Sequence, residues 1–239
     1  MKSCLVYENE DMRKVTGDTL RPGGFFLTDR AMELCNFKTN DKLLDIGCGM
    51  GVTVDRLRNV FKMDAFGIDP SQKLLGLGRE KYPNNEIKLG MGEEIPYKDL
   101  EFNGVFAECT MSLMQNIEKT IMESNRVLRR NGYFIVNDVY ARSPEYLGEV
   151  QDYNISSCMR GLLDMDVLKK SIESSGYKIT YLEDFTELLK QLMVKIIFKY
   201  GSMSMFWKVA TNGCTNCVDF EEKLKLCKPG YFLMIAKKI

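Results

Sequence analysis

The sequence predicts an α/β fold built on a doubly wound sheet, and three observations carry that prediction. From residue 42 onward, short apolar segments alternate with amphipathic ones at the spacing of parallel βαβ units. The first apolar segment runs into a glycine cluster that opens a helical pattern. The 239 residues are 45% hydrophobic and 28% charged, an ordinary globular composition that argues against wholesale disorder.

The elements follow in order. Residues 1–20 are polar and read as an arm, and Arg21-Pro22-Gly23-Gly24 is a turn signal. Thr28 reads as the N-cap of a helix through Ala31, Met32 and Leu34. Lys42–Ile46 reads as a buried strand, followed by Val54, Leu57, Val60 and Phe61 at helical spacing. Ala65–Ile68 is a second strand, ending at Asp69-Pro70, and Ser71 caps a helix carrying Leu74, Leu75 and Leu77. Glu86–Leu89 and Val105–Cys109 are further strands, and Ile117–Leu128 is a helix. An Asn131-Gly132 turn leads into the strand Tyr133–Asn137. Asp164 caps a helix with Met165, Leu168 and Ile172 inward, Gly176 stops it, and Tyr177–Leu182 is the next strand.

The final third departs from this rhythm. Asp184 to Glu187 resembles a capping box. Leu188, Leu189, Leu192, Met193, Ile196 and Ile197 then form an apolar stripe, read as core against the sheet. A Met- and aromatic-rich patch from Met203 to Trp207, a Cys-rich loop and a strand Tyr231–Ala236 close the chain. This divides it into an arm and cap helix (1–40), a core (41–183), a helical, Cys-rich insertion (184–230) and a final core strand (231–239).

Composition removes several chemistries. With no histidine there is no Ser-His-Asp triad, no Cys-His dyad, no HExxH zinc site and no facial-triad iron site. Thirty-three basic and 33 acidic residues balance, which argues against a broad basic face, so no nucleic-acid partner is expected. No apolar run approaches the roughly 20 residues of a membrane span. The N-terminus lacks the apolar centre of a signal peptide, so a cytoplasmic location with reduced cysteines is expected.

Asp45-Ile46-Gly47-Cys48-Gly49-Met50-Gly51 joins a strand to a helix. The glycines stand at alternate positions, unlike the GxGxxG of dinucleotide sites. Glycines let the backbone lie close to a ligand, and the helix N-terminus offers it free N–H groups. A carboxylate ending the next strand, Asp69, can accept both hydroxyls of a ribose.

With LLDIGCGMG, FGIDPS, GMGEEIPY, FNGVFAE and RVLRRNGYFIVND, the chain resembles class I S-adenosylmethionine-dependent methyltransferases. It is similar in particular to the small-molecule group that includes ubiquinone-biosynthesis and arsenite methyltransferases. The resemblance covers roughly residues 28–183, with 231–236 fitting the closing hairpin. It implies a Rossmann-like sheet of seven strands with the last antiparallel. It also implies S-adenosylmethionine as cofactor, S-adenosylhomocysteine as product and a small-molecule substrate.

Carried over by residue, Asp45 orients the glycine loop or meets the methionine amino group, and Gly47, Cys48, Gly49 and Gly51 line the cofactor. Cys48 can equally be a small packing residue. Asp69, with Pro70, binds the ribose, and Met91, Gly92 and Glu93 form the adenine segment. Met91 stands where the family often has Asp, and Asn103 stands where it usually has Asp before the fourth strand. Glu108 and Cys109 end that strand beside the methyl donor. Asp138 and Tyr140, just after the fifth strand, fall on the acceptor side. Glu108, Cys109, Asp138 and Tyr140 are therefore the catalytic candidates.

Methyl transfer from a sulfonium needs in-line positioning above all. A general base matters only for a protonated, weakly acidic acceptor. The missing histidine is therefore compatible with a thiolate, metalloid or stabilised carbanion acceptor. The (D/N)PP(Y/F) signature of DNA amino-methyltransferases is absent, since Glu108-Cys109-Thr110-Met111 stands there. The arm is expected either to fold over the pocket as a lid or to remain a plain tail.

No metal site is expected. Cys214 and Cys217 form a CxxC pair, and Cys227 and Cys158 are the nearest further ligands for a soft ion. These thiols could serve a metalloid substrate together with Cys109, act as a redox pair, or simply pack. The expected function is methyl transfer to a small molecule. The alternatives are a metalloid or thiol methyltransferase and a non-catalytic cofactor-binding scaffold. Oligomeric state is left open.

Overall fold

The computed structural model describes residues 4–8, 13, 17–153, 155–211 and 216–239. Seven strands form one sheet: β1 Lys42–Ile46, β2 Asp64–Asp69, β3 Glu86–Leu89, β4 Phe102–Glu108, β5 Leu128–Ala141, β6 Tyr177–Asp184 and β7 Pro229–Lys238. Their spatial order is β3-β2-β1-β4-β5-β7-β6. β7 runs antiparallel to both its neighbours, and the remaining pairings are parallel. The order reverses between β1 and β4, the place where doubly wound sheets bind ligands at the carboxyl ends of their strands.

Helices are α1 Phe26–Cys35, α2 Val52–Asn59, α3 Gln72–Lys81, α4 Ile117–Val127, α5 Met165–Ser174, α6 Thr186–Tyr200, α7 Met203–Ala210 and α8 Cys217–Cys227. They cover both faces of the sheet, which is why its central strands read as unbroken apolar runs. Alternate residues supply two separate cores. Leu43, Phe106 and Ile135 face one side with α1 and α2; Leu44, Val105 and Phe134 face the other with α4 and α5. Ser71 accepts the Leu74 N–H at 3.2 Å and starts α3. Asp164 accepts the Asp166 and Val167 N–H groups and starts α5. Each of these caps was legible from one polar residue before an apolar period.

Several expectations are corrected. Thr28 is no cap: it lies inside α1, and Phe25 precedes the helix with no side-chain cap. The Asn131-Gly132 turn is absorbed into one long β5, with Asn131 at φ +64° and a register break between Phe102 and Gly104. β5 also runs past Asn137 to Ala141, because β7 continues to pair with it as far as Pro229. Asp138 and Tyr140 are therefore strand residues. Asn103 lies within β4, where its Oδ1 accepts the Lys42 N–H. The capping box does not close. Asp184 accepts the Thr186 N–H and hydroxyl, while Glu187 pairs with Lys190. On α6, Leu189 and Ile196 are buried but Ile197 is 43% exposed.

In the chain, the three helices α6 to α8 come between β6 and β7, which pair directly in the sheet. The arm pairs Cys4–Leu5 in parallel with Ile155–Ser156.

Candidate active site

β1 ends in a loop whose glycines stand at positive φ. Gly47 has φ +71°, and a Cβ there would sit 2.1 Å from Thr110 Oγ1. The Gly47 and Cys48 N–H groups donate to Ile68 O at 2.8 and 3.0 Å, tying the loop to the end of β2. Gly49 has φ +53°, and its N–H donates to Asp69 Oδ2 at 2.8 Å. Asp69 Oδ1 accepts the Ser71 N–H at 2.8 Å. Asp69 thus joins the glycine loop to the start of α3 and keeps lone pairs for a ligand. Burial raises its carboxyl, and these two backbone donors oppose the rise.

Above this loop lies a cavity of about 430 Å³. Asp45, Gly47, Cys48, Gly49, Asp69, Pro70, Met91, Gly92, Glu93, Glu108 and Cys109 all border it. Asp45 is 3% exposed, and no described residue donates a hydrogen bond to its carboxylate. Burial first, then Glu108 and Asp69, raise the Asp45 carboxyl, while Arg21 draws it down. Glu93 Oε1 accepts the Gln115 and Asn116 N–H groups, which fixes the loop after β4 as a cavity wall. Gly51 stands apart from the cavity. It precedes α2 at φ +76°, and a Cβ on it would meet Ile87 at 2.9 Å, so its close approach is to β3.

The arm forms the roof. Tyr7, Glu8 and Asp18 to Arg21 border the cavity. Glu8 accepts the Ser71 hydroxyl at 2.6 Å, and Lys73 donates to Glu8 O at 3.0 Å. Lys81 pairs with Asp18. Of the two expectations for the arm, the folded one describes these residues.

Arg21 inserts into the edge of the sheet. Its Nη1 lies 2.9 Å from Glu108 Oε2 and donates to Thr53 Oγ1 at 3.0 Å; its Nη2 donates to Thr28 Oγ1 at 2.7 Å. Thr28 and Asn137 donate to Glu108 Oε1, and Thr53 donates to Oε2. Burial lowers the Arg21 guanidinium most, and Glu108, joined by Tyr231, Asp45 and Cys109, more than restores it. Glu108 is thereby saturated with donors, which leaves it the geometry of a clamp for the arm rather than that of a base.

The other catalytic candidates separate. Cys109, at φ +53°, is buried with its Sγ 3.3 Å from Tyr231 Oη. Burial holds its thiol well above the usual range, so it is protonated at neutral pH. Asp138 is fully buried outside the cavity and accepts the Ser112 N–H, the Ser112 hydroxyl and the Val139 N–H. It shapes the turn Met111–Leu113, and burial pushes its carboxyl up to about 6. Tyr140 donates to Asp184 at 2.7 Å, away from the cavity. The extended β5 explains both displacements.

Cys158 sits under the roof, its N–H donating to Tyr7 Oη at 3.0 Å, and burial pushes its thiol up to about 12. Cys227 is buried beside Tyr146 O, and Cys217 is buried in α8. Cys214 lies outside the described residues. Among the described residues, no three Cys, Asp or Glu converge as a metal site.

Comparisons with known proteins bear on the fold and on one stretch of the chain. Residues 44–136 match the model of a methyltransferase domain. The demethylmenaquinone methyltransferase of Chlorobaculum parvum is 27% identical over 158 residues, which are 63% of this chain and 64% of that protein. Two solved structures share the fold. The cyclase SpnF has a TM-score of 0.74 at 19% identity, with 98% of this chain and 93% of that one covered. Phosphoethanolamine N-methyltransferase 2 of Haemonchus contortus, solved with S-adenosylmethionine, has a TM-score of 0.72 at 18% identity, covering 96% and 56%. Residues 44–136 thus match a methyltransferase domain, and the chain has the Rossmann-like α/β fold of these solved structures.

Proposed function

We propose that the protein transfers a methyl group from S-adenosylmethionine to a small-molecule acceptor in the cytoplasm. The observation that carries this reading is the convergence of the Gly47 to Gly49 loop, Asp45 and Asp69 on one roofed cavity at the sheet's switch point.

The residues suit that cofactor. A Cβ on Gly49 would meet only Leu74 Cδ1, at 3.9 Å, so the glycine leaves open space a ligand can fill. Asp45 is aimed at the cavity with its acceptors open, as a ligand ammonium requires. Asp69 retains acceptors for a ribose diol, and the Gly92 backbone borders the adenine side. When bound, the cofactor supplies a methyl already activated by the positive sulfonium. This chain's residues then contribute position and dryness. The arm, pinned by Arg21, excludes water, and the wall from Cys109 to Met114 sets the approach of the acceptor.

Glu108 is saturated and Asp138 is committed to Ser112. The best-supported acceptor is therefore a nucleophile that arrives deprotonated or soft. Protonated thiols at the buried Cys109 and the half-buried Cys158 speak against a metalloid held by this pair. SpnF is a cyclase, so the fold alone does not decide the reaction. Incubation with methyl-labelled S-adenosylmethionine and a panel of small thiols, phenols and quinols tests the point. Label should move to one acceptor class. Tight cofactor binding with no transfer to any acceptor would favour a scaffold instead.

A further inference from the structure

The outer face of α6 is oddly apolar for a surface helix. Val194, Ile197 and Phe198 are 48%, 43% and 88% exposed. At about 100° per residue, Phe198 sits at the centre of the outward arc. Val194 and Ile197 flank it on one side, and Lys195 and Lys199 on the other. The inward arc is already filled by Leu189 and Ile196 on the core. On the following helix, Met205 is 48% exposed and Lys208 is exposed beside it in the chain.

Charge on this stretch is one-sided. Lys190 is paired with Glu187 at the start of α6, but from Leu188 to Val218 the chain also carries Lys195, Lys199 and Lys208 and no acidic residue, although the whole protein is neutral. An exposed apolar strip of Val194, Ile197 and Phe198 with lysines along one side complements a surface that is apolar beneath and negative on top. No helix among the described residues is long and apolar enough to cross a bilayer.

We propose that α6, with the start of α7, docks on the anionic headgroup layer of a lipid bilayer, seating Phe198 among the acyl chains. The helix begins beside the arm. A Cβ on Gly23 would lie 2.8 Å from Leu188 Cδ1, and the Phe26 and Phe185 rings stack edge-on at 6.1 Å. The start of the docked helix therefore packs on the chain just after Arg21. The docking itself is independent of methyl transfer and is measured without turnover.

Full-length protein is floated with phosphatidylcholine vesicles, with and without added phosphatidylglycerol. Binding is expected only to the anionic vesicles and should fall as salt rises. Phe198→Ser should weaken it about tenfold or more, and Lys195→Glu about fivefold or more. Both positions are exposed, so melting temperatures should match the parent. Equal recovery with and without phosphatidylglycerol overturns the proposal. So does a dimer in light scattering that Phe198→Ser dissolves, since a second copy would then be the occupant.

Discussion

Arg21 and Glu108 meet as a buried ion pair 2.9 Å apart, with side chains 6% and 1% exposed. Thr53 donates to Glu108 and accepts from Arg21, so the pair sits in a closed network. It fastens the arm to the end of β4, which turns a polar N-terminal segment into the roof of the cavity. Removing one partner leaves a charge buried without its counterpart. Arg21→Met should therefore cost about 3–5 kcal/mol in urea unfolding. Adding Glu108→Gln should recover part of that loss, since the orphaned charge is gone. Additive losses would show that the two side chains act separately.

Two neighbouring glycines should answer differently to the same substitution. Gly47→Ala drives a Cβ to 2.1 Å from Thr110 Oγ1, so it should destabilise the fold by about 2 kcal/mol or more. Gly49→Ala meets only Leu74 at 3.9 Å, so its folding cost should be about 1–2 kcal/mol from its positive φ. Its larger effect should be on cofactor affinity, because the methyl enters the cradle. Thermal melts and titration calorimetry separate the two. Parental affinity in Gly49→Ala would show that this loop is not the binding surface.

Asp138 predicts a pH dependence of stability. Its folded carboxyl titrates at about 6, above the roughly 3.9 of an unfolded chain. The folded state therefore holds the proton more tightly. Stability from this group is fully present below about pH 4 and is lost as pH rises through about 6. The change is worth about 2–3 kcal/mol. Asp138→Asn should flatten this part of the urea-stability profile between about pH 4 and 7. A profile parallel to the parent's would remove Asp138 as its cause.

The buried thiols should be inert. Burial raises both Cys109 and Cys158 far above neutral pH. Iodoacetamide near neutral pH should therefore leave both unmodified in the native protein and label both in urea. Rapid native labelling of either, read by peptide mass, would contradict the raised thiols of the buried Cys109 and the half-buried Cys158.

What was legible in the sequence is what lies within one stretch of chain. Gly47, Gly49 and the Asp69 strand end are local motifs, and local backbone chemistry placed them at the cavity. Ser71 and Asp164 were equally readable as caps. Arg21 was not, because a single arginine before Pro-Gly-Gly carries no period and its partner is distant in the chain. Thr28 looked like a cap because threonines before apolar runs often are; its bond to Glu108 crosses 80 residues. Asp138 and Tyr140 were misplaced because the length of β5 is set by β7, a strand nearly a hundred residues later. Glu108 read as a catalytic carboxylate until the arm supplied its counterion.

The central claim is that the glycine loop, Asp45 and Asp69 hold S-adenosylmethionine in this cavity. Titration calorimetry of cofactor-free protein with S-adenosylmethionine and S-adenosylhomocysteine tests it most directly, with Asp69→Asn alongside. Asp69→Asn should weaken binding about tenfold or more, since hydrogen bonds to a charged group are worth about 1.5–3 kcal/mol. Saturable one-to-one binding of both ligands, weakened in the variant, is the expected result. No heat from either ligand with the folded parent protein, or parental affinity in Asp69→Asn, would contradict it.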